Sequence, residues 1–206
     1  MSARRAGTAK RYDAAYFEHW YRRSGLGVGL RSFVERKVHL ALAAAEYVLG
    51  RRARCVLDVG CGEAPWRAIL RRLRPGIEYL GVDASEYAVA RFGRRRNIRL
   101  GSLASLAQLR IGGRWDLVVC ADVMHYVPTR EVRAGLAALA PRVGGVAFLE
   151  AFTSEDDIEG DHEELQRRSA AQYRRLFAQA GLVPLALHLY VRRTVHESLV
   201  QLERGR

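Results

Sequence analysis

The sequence predicts an α/β fold: a doubly wound, mostly parallel sheet of seven strands, with the last strand antiparallel and helices at the N-terminus. Short apolar runs rich in β-branched residues alternate with segments of helical periodicity, which is typical of parallel sheets. A glycine turn follows the first run, and two runs with a short connection close the chain. With 206 residues, the chain is long enough for one domain with a large core.

The first predicted helix covers residues 11–23. Its aromatic residues recur at helical spacing and form a stripe: Tyr12, Tyr16, Phe17, Trp20 and Tyr21. Such a stripe packs a helix onto a domain. Alternating glycines in residues 24–29 predict a flexible hinge after it.

A second helix is predicted before the first strand. Ser32 and Glu35 have the spacing of a capping box, and Gly50 is placed to end the helix. We therefore expect an N-terminal arm with two capping helices over residues 1–50. The core of the fold is expected over residues 51–206, within one domain overall.

The first predicted strand, residues 55–59, ends in a glycine loop. Gly60 and Gly62 lack a Cβ, so the backbone can turn sharply and approach a ligand closely. A helix beginning near Pro65 would aim its free N–H groups at the loop. Pro65 also stands where a dinucleotide fingerprint needs glycine, and a Gly-Lys-Ser/Thr of a P-loop is absent. Asp58 suits a ligand that carries an ammonium and a sulfonium.

The second predicted strand, residues 79–83, ends in an acid. Asp83 follows the glycines by about 20 residues, the interval at which Rossmann-type folds place a carboxylate on ribose hydroxyls. A helix over residues 85–92 and a third strand over residues 97–100 come next.

The fourth strand is predicted at residues 115–120. A helix over residues 129–139 follows, with Thr129 as its expected N-cap. Gly144 and Gly145 then lead into a fifth strand over residues 146–150. This alternation of strands and helices predicts right-handed crossovers that cover both faces of the sheet.

The last part of the chain predicts one more helix and two strands. Ser169 and Gln172 form a capping box for a helix that ends at Gly181. Two strands are expected at residues 185–191 and 195–202. Their short connection requires them to be antiparallel.

Three motifs in this order and spacing resemble those of class I S-adenosylmethionine-dependent methyltransferases. They are the Asp58–Gly62 loop, the acid-ended strand at Tyr79–Asp83 and the fourth strand at Trp115–Cys120. The resemblance covers about residues 50–202. It departs from the family at Ala64, where a third glycine is usual. It also departs at Gly101-Ser102, where many members have an acid that contacts the adenine amino group.

The resemblance implies S-adenosyl-L-methionine as cofactor, bound across the carboxyl ends of strands one, two and four, where the strand order reverses. It implies that the backbone of Gly60–Gly62 faces the methionine part, Asp83 the ribose, and Ser102-Leu103 the adenine. Asp122 would close the methionine side. The expected cofactor-binding residues are Asp58, Gly60, Cys61, Gly62, Asp83, Ala84, Ser102, Leu103, Ala121 and Asp122.

His125 follows the fourth strand at the mouth of the expected site. The pKa of a histidine suits a general base, which is required if the acceptor must lose a proton. The resembled family often has a histidine here, and holding the loop in place is an equally good interpretation. We name His125 as the candidate catalytic residue.

An acidic segment follows the fifth strand in an otherwise basic chain. Its acids surround His162 and comprise Glu155, Asp156, Asp157, Glu159, Asp161, Glu163 and Glu164. One interpretation is a lid that attracts a cationic acceptor and repels phosphates. The other is solubility, or salt bridges to Arg167 and Arg168. In the resembled family, N-terminal helices often fold over the cofactor and form a roof for the substrate, which is the second interpretation of the aromatic stripe. The expected substrate contacts are therefore Tyr12, Tyr16 and Tyr21, together with His162 of the acidic segment.

The resemblance and the acidic segment together predict methyl transfer to a small molecule, at an amine or a hydroxyl. Two alternatives stay open. The net charge of +12 favours an RNA or protein methyltransferase with an arginine-rich docking surface. However, all but two of the 34 basic residues are arginines that occur throughout the chain, which indicates a general arginine bias. The second alternative is a cofactor-binding subunit without activity.

Other signals are absent from the sequence. No signal peptide is recognisable at the N-terminus, and the most apolar helix, residues 38–49, is too short to span a membrane. A cytoplasmic protein that does not bind membranes is therefore expected. The three cysteines are expected to be reduced, and no metal site is predicted because ligand spacing is absent. The sequence does not predict the oligomeric state.

Overall fold

One sheet of seven strands organises the computed structural model, which describes residues 10–23, 31–158 and 161–199. The strand order is β3-β2-β1-β4-β5-β7-β6. Neighbouring strands from β3 to β5 are parallel, and β7 runs antiparallel to both β5 and β6. The predicted fold class is confirmed. The strands are β1 Cys55–Val59, β2 Glu78–Asp83, β3 Ile98–Leu100, β4 Trp115–Ala121, β5 Val143–Glu150, β6 Leu182–Pro184 and β7 Leu189–Arg192.

Helices cover both faces of this sheet. Helices α2, α3 and α4 pack on one face, and α5 and α6 pack on the other. The N-terminal helix α1 continues into a π-helical turn at His19–Arg23. The helices are α1 Ala14–Glu18, α2 Arg31–Leu49, α3 Pro65–Leu73, α4 Glu86–Arg96, α5 Thr129–Leu139, α6 Ala170–Gln179 and α7 Arg193–His196.

The central strands alternate their side chains between two apolar layers. On β1, Val56 packs toward α2 and α3, whereas Leu57 and Val59 pack toward α5 and α6. Because both faces are covered, the strand is apolar along nearly its whole length, and these three residues are fully buried. The strand order reverses between β1 and β4, so the carboxyl ends of these two strands border a crevice.

The two C-terminal strands differ from their predicted positions. The predicted ranges 185–191 and 195–202 are wrong, because the hairpin consists of β6 and β7 and is followed by α7. Its turn places Leu187 and His188 at positive φ of 49° and 67°. Leucine rarely adopts that backbone conformation, and the segment contains no glycine, asparagine or aspartate, so the sequence showed no turn there. The predicted antiparallel pairing is correct.

Helix caps were predicted with mixed success. The capping box of Ser169 and Gln172 is present. Ser32 is not a cap, because it lies inside α2. Thr129 is the first residue of α5 and Pro128 is the N-cap. The Thr129 hydroxyl instead accepts a hydrogen bond of 2.9 Å from Arg168 Nε.

Three further expectations concern the glycine hinge, membrane-spanning helices and the cysteines. The hinge at residues 24–29 lies outside the described residues. Within the described ranges, no helix combines the length and the apolar character that crossing a membrane requires. The three cysteines are free thiols, with Cys61 and Cys120 buried and Cys55 partly buried.

Candidate functional site

The loop after β1 lies at the reversal point of the sheet. Gly60 and Gly62 have positive φ of 76° and 53°. A Cβ at Gly60 would lie 2.2 Å from Val123 Cγ2, and one at Gly62 would lie 2.2 Å from the Tyr21 hydroxyl. Both positions therefore need glycine for two reasons, backbone conformation and space.

Ala64 takes the place of the family's third glycine and begins α3. Its φ is 57°, so it adopts a left-handed conformation that glycine would adopt more easily. Its side chain is buried, and its N–H donates to the Cys61 carbonyl at 2.8 Å. Alanine at this position thus adopts a left-handed turn without the help of glycine.

Asp83 at the end of β2 is held by the glycine loop and by the start of α4. Its Oδ2 accepts a hydrogen bond from the Gly62 N–H at 2.6 Å, and its Oδ1 accepts one from the Ser85 N–H at 2.8 Å. Burial raises the pKa of Asp83, while these two N–H groups act in the opposite direction. The carboxylate is thus oriented by the backbone at the edge of the cavity described below.

Asp58 lies beneath the loop and does not line the cavity. It is 3% exposed, and its Oδ2 accepts a hydrogen bond of 2.7 Å from the Tyr79 hydroxyl. Burial raises the pKa of Asp58 to about 7, and the nearby Asp83 adds to this rise. The Tyr79 hydrogen bond opposes it. A positive charge above the loop would favour the ionised form of Asp58.

A cavity of about 300 Å³ opens beside the loop. Most of the predicted cofactor-binding residues line it: Gly60, Gly62, Asp83, Ala84, Ser102, Leu103 and Asp122. Asp58, Cys61 and Ala121 do not. Of the predicted substrate contacts, Tyr12, Tyr16 and Tyr21 line the cavity, whereas His162 is exposed on the acidic segment.

The N-terminal helix covers the cavity with its aromatic stripe. Phe17 is buried and packs against Tyr21 and Tyr87, with ring centroids 4.9 Å and 5.6 Å away. Ser85 Oγ donates a hydrogen bond of 2.5 Å to the Tyr12 carbonyl. Burial raises the pKa of Tyr12 and Tyr16, so both phenols are neutral near pH 7. The stripe packs the helix onto the domain and also encloses the cavity.

Several lining residues were not predicted. They are Phe17, Ala104, Val123, Tyr126, Val127, Pro128, Glu131 and Glu164. Tyr126 and Glu131 follow the carboxyl end of β4, which was the signal that could have identified them. Glu164 belongs to a segment that only the tertiary structure brings to the cavity.

The lining of the cavity is acidic. It includes the carboxylates of Asp83, Asp122, Glu131 and Glu164, and no lysine or arginine is among its described residues. This composition contrasts with the net charge of +12 of the whole chain. The cavity therefore favours positively charged ligands.

Asp122 is held in position at the end of β4. It has a φ of 57°, and its N–H donates to the Glu150 carbonyl at 3.2 Å. Lys37 from α2 lies 3.6 Å from Asp122 Oδ2 and forms a closer ion pair with Glu150. One cation thus joins the carboxylates at the ends of β4 and β5.

His125 is buried behind the cavity wall and does not line the cavity. It is 1% exposed, and its Nδ1 accepts a hydrogen bond of 3.3 Å from the Phe152 N–H. Its carbonyl accepts another, of 2.7 Å, from the Gln166 N–H. Burial lowers the pKa of His125 to about 4, so the ring is neutral at pH 7. These bonds join the loop after β4 to residues on either side of the acidic segment.

The acidic segment has several structural roles. Asp156 accepts hydrogen bonds from the Thr153 N–H and hydroxyl at 2.7 Å and 2.8 Å. Glu155 accepts one of 3.0 Å from the N–H of Ala170, at the start of α6. Glu164 lines the cavity, and Glu159 lies outside the described residues.

Arg168 forms no ion pair with the described residues of the acidic segment, so the expected salt bridge is wrong for this arginine. The residue is 3% exposed, and its guanidinium donates to the carbonyls of Met124 and Val127. It also donates to the hydroxyls of Thr129 and Tyr173. A buried guanidinium needs this many acceptors, and here it stabilises the loop that carries His125.

These features fit S-adenosylmethionine on three points. The glycine loop leaves a space beside the sheet that a Cβ would fill. Asp83 presents a fixed carboxylate at the end of the second strand, suited to hydroxyl groups. The acidic lining suits an ammonium and a sulfonium.

Comparison with known proteins identifies the family. A family model described as a methyltransferase domain matches residues 29–194 of this chain. Among curated protein sequences, none matches significantly.

Solved structures show the same fold. Magnesium protoporphyrin IX methyltransferase (ChlM) from Synechocystis PCC 6803, with bound SAH, has a TM-score of 0.62 and 19% identity, covering 87% of this chain and 92% of that chain. CalS10, an amino pentose methyltransferase from Micromonospora echinaspora, has a TM-score of 0.62 and 19% identity, covering 89% and 98%. DesVI from Streptomyces venezuelae has a TM-score of 0.63 and 16% identity, covering 82% and 94%.

Proposed function

This chain belongs to the class I S-adenosylmethionine-dependent methyltransferases, and from that premise we propose that it methylates an amine nitrogen of a small-molecule acceptor. The family membership and the fold establish a methyltransferase that uses S-adenosyl-L-methionine. The nature of the acceptor is our proposal. The acidic lining of the cavity carries it.

The charge of the cavity distinguishes between acceptor classes. Asp122, Glu131 and Glu164 would attract a protonated amine and repel a phosphate or carboxylate. The tyrosines of the N-terminal helix add aromatic faces, which favour cations and apolar groups. A hydroxyl acceptor would gain little from this lining, so we place the amine first.

The surface arginines give less support to a nucleic-acid acceptor. Several of them form ion pairs with carboxylates of the same chain, such as Arg74 with Glu46 and Arg51 with Asp116. A guanidinium engaged in this way is less available to a phosphate. An RNA acceptor would also have to approach an acidic cavity.

The cofactor-binding residues are proposed by their place in the cavity. The backbone of Gly60–Gly62 would hold the methionine part, Asp83 the ribose hydroxyls and the Ser102-Leu103 turn the adenine. The Ser102 N–H already donates to Ser105 Oγ at 2.9 Å, which orders this turn. Asp58 would balance the positive charge of the ligand from below the loop.

Methyl transfer requires positioning more than acid or base chemistry. S-adenosylmethionine supplies a methyl group on a positively charged sulfur, which a neutral nitrogen can attack in line. The residues of this chain would align the two reactants and exclude water, and the tyrosines of α1 and its N-terminal flank form the cover. The acids of the lining would attract the protonated amine, and one of these carboxylates would take up its proton before attack.

For His125 we propose a positioning role. Its Nδ1 and its carbonyl both accept backbone hydrogen bonds, from Phe152 and Gln166, and its ring is buried away from the cavity. A low pKa also makes it a weak base at pH 7. This supports the interpretation that His125 holds the loop, the second of the two considered from the sequence.

Cofactor binding is tested by calorimetry with S-adenosylhomocysteine, the demethylated product. We expect binding by the wild type and a loss of at least about tenfold in affinity for Asp83→Ala, which removes the proposed ribose contact. Asp157→Asn, an exposed acid of the same chain, serves as the control. Absence of binding by the folded wild type would contradict the cofactor site.

The acceptor is tested with labelled methyl donor and a panel of amines, phenols and carboxylates. We expect turnover with amines, and a KM raised about tenfold by Glu164→Gln, because one attractive charge at the cavity is lost. Asp157→Asn should leave the KM unchanged. Turnover confined to phenols or carboxylates, or tight salt-sensitive RNA binding in a filter assay, would overturn the amine proposal.

A further inference from the structure

Lys10 places its ammonium among three tyrosine rings. Its Nζ lies 5.3 Å from the ring centroid of Tyr12, 5.4 Å from that of Tyr16 and 3.9 Å from that of Tyr126. The Lys10 side chain is only 2% exposed. Aromatic faces at such distances attract cations, and the attraction increases where water is excluded.

A carboxylate completes this environment. Asp161, whose side chain is 10% exposed, forms an ion pair with Lys10 Nζ. The backbone of Asp161 is held by the Tyr126 hydroxyl, which donates to its carbonyl at 3.0 Å. Lys10 Nζ also donates to the Glu163 carbonyl at 3.2 Å, and the Lys10 N–H donates to Glu164 Oε1 at 2.9 Å. We call Tyr12, Tyr16, Tyr126 and Asp161 the ammonium box.

The ammonium box is continuous with the cavity. Tyr12, Tyr16 and Tyr126 contribute to both, and Glu164, which accepts from the Lys10 N–H, lines the cavity beside them. The box brings together residues from the N-terminal segment, the loop after β4 and the acidic segment. The cavity and the box therefore share three aromatic side chains.

It is unusual for a lysine side chain of the same protein to be buried in an environment of this kind. Desolvating an ammonium is costly unless its surroundings supply charge and hydrogen bonds, and the ammonium box supplies both. Lys10 is the first residue of the described range 10–23, and the sequence around it is basic. The box has the chemistry of a cation-binding site, and a side chain of the same protein occupies it.

We propose that the ammonium box binds a cationic group of the acceptor and that Lys10 competes with the acceptor for it. This inference rests on the proposed amine acceptor and makes it more specific. A nitrogen held as an ammonium has no lone pair and cannot attack a methyl group. The acceptor therefore carries a cationic group separate from the nitrogen that is methylated, as a diamine does.

The experiment measures choline binding by calorimetry in the presence of S-adenosylhomocysteine. Choline is a permanent cation of suitable size, and 3,3-dimethylbutan-1-ol is its neutral counterpart of similar shape. We expect Lys10→Ala to bind choline about tenfold more tightly than the wild type, because the competing ammonium is removed. The neutral alcohol should gain no comparable affinity.

Two further variants separate the box from general effects of charge. Arg23→Ala removes an exposed cation of the same N-terminal segment, which pairs with Glu18, and should leave choline binding at the wild-type level. Adding Tyr126→Leu to Lys10→Ala should abolish the gain. Lys10→Gln, which keeps a side chain of intermediate length without charge, replaces Lys10→Ala if the latter does not fold.

The results that would overturn this inference differ from those that would overturn the proposed function. Equal choline affinity in the wild type and in a folded, neutral Lys10 variant would overturn this inference, as would an equal gain for the neutral alcohol. Failure of S-adenosylhomocysteine binding, or methylation of phenols alone, would instead overturn the cofactor site or the amine acceptor. Choline binding to the Lys10 variant could persist in either case.

Discussion

The Gly62 N–H donates a hydrogen bond of 2.6 Å to Asp83 Oδ2. This bond joins the loop after β1 to the end of the neighbouring strand β2. It orients a carboxylate that faces the cavity and satisfies an N–H group of a loop that has little regular structure. The glycine loop and the acid at the end of β2, which are separate signals in the sequence, are therefore joined directly by a hydrogen bond.

Replacement of Gly62 should be destabilising. In Gly62→Ala the new Cβ would meet the Tyr21 hydroxyl in a backbone conformation with a φ of 53°. We expect a loss of about 1–3 kcal/mol in the free energy of unfolding, measured by urea denaturation. Gly112→Ala, where no atom lies within 4 Å of the new Cβ, should change little. An equal loss in both variants would contradict the proposed clash.

Asp58 should make cofactor affinity depend on pH. Its pKa is raised to about 7, and a bound cation would favour the ionised form. The affinity for S-adenosylmethionine should therefore increase about tenfold from pH 6 to pH 8, as binding releases a proton. Asp58→Asn should show a flatter dependence in the same calorimetric titration. Parallel profiles for the two proteins would exclude Asp58 as the source.

His125 should lower stability in acid. Its pKa is about 4 in the folded protein, below the ordinary value of 6.5, so between these values the unfolded chain binds the extra proton. Stability should therefore fall as the pH falls, by about 2 kcal/mol from pH 7 to pH 5. His125→Gln should lose this component in urea unfolding at the two pH values. His39 is an exposed histidine of α2, and the variant His39→Gln should keep the pH-dependent loss of stability.

Lys37 should stabilise the ends of β4 and β5. It pairs with the mostly buried Glu150, whose pKa is raised by burial and by Asp122. Lys37→Met should cost about 2–4 kcal/mol at pH 8 and less at pH 5, because a protonated Glu150 needs no partner.

The same helix offers a control for Lys37. Arg36→Met removes an exposed charge beside Lys37 and should have little effect on the free energy of unfolding. Adding Glu150→Gln to Lys37→Met should recover most of the loss. Additive losses in that double variant would show that the ion pair is not the cause.

The central elements could be predicted because their signals are local. The apolar run of β1 and the helix that begins at Pro65 were predicted from neighbouring residues, and the structure places both as expected. The hairpin at β6 and β7 was misplaced, since Leu187 and His188 turn the chain without a glycine. Such a turn is stabilised by pairing with β5, which local sequence does not reveal.

The residues of the candidate site also fall into two groups, those that local sequence predicts and those that depend on tertiary contacts. The glycine loop and Asp83 could be named in advance, because the carboxyl ends of parallel strands converge by topology. Glu164 and the burial of His125 could not. The position of a loop residue depends on contacts with segments distant in the chain, such as the bond from Gln166 to His125.

By itself, the sequence determined the fold class, the family and the glycine loop after β1, because periodicity and glycine spacing act over a few residues. Only the tertiary structure decided that Lys10 lies against Tyr126 and Asp161, residues more than a hundred positions away. The physical reason is that burial of a charge requires partners, and folding alone determines which partners become neighbours.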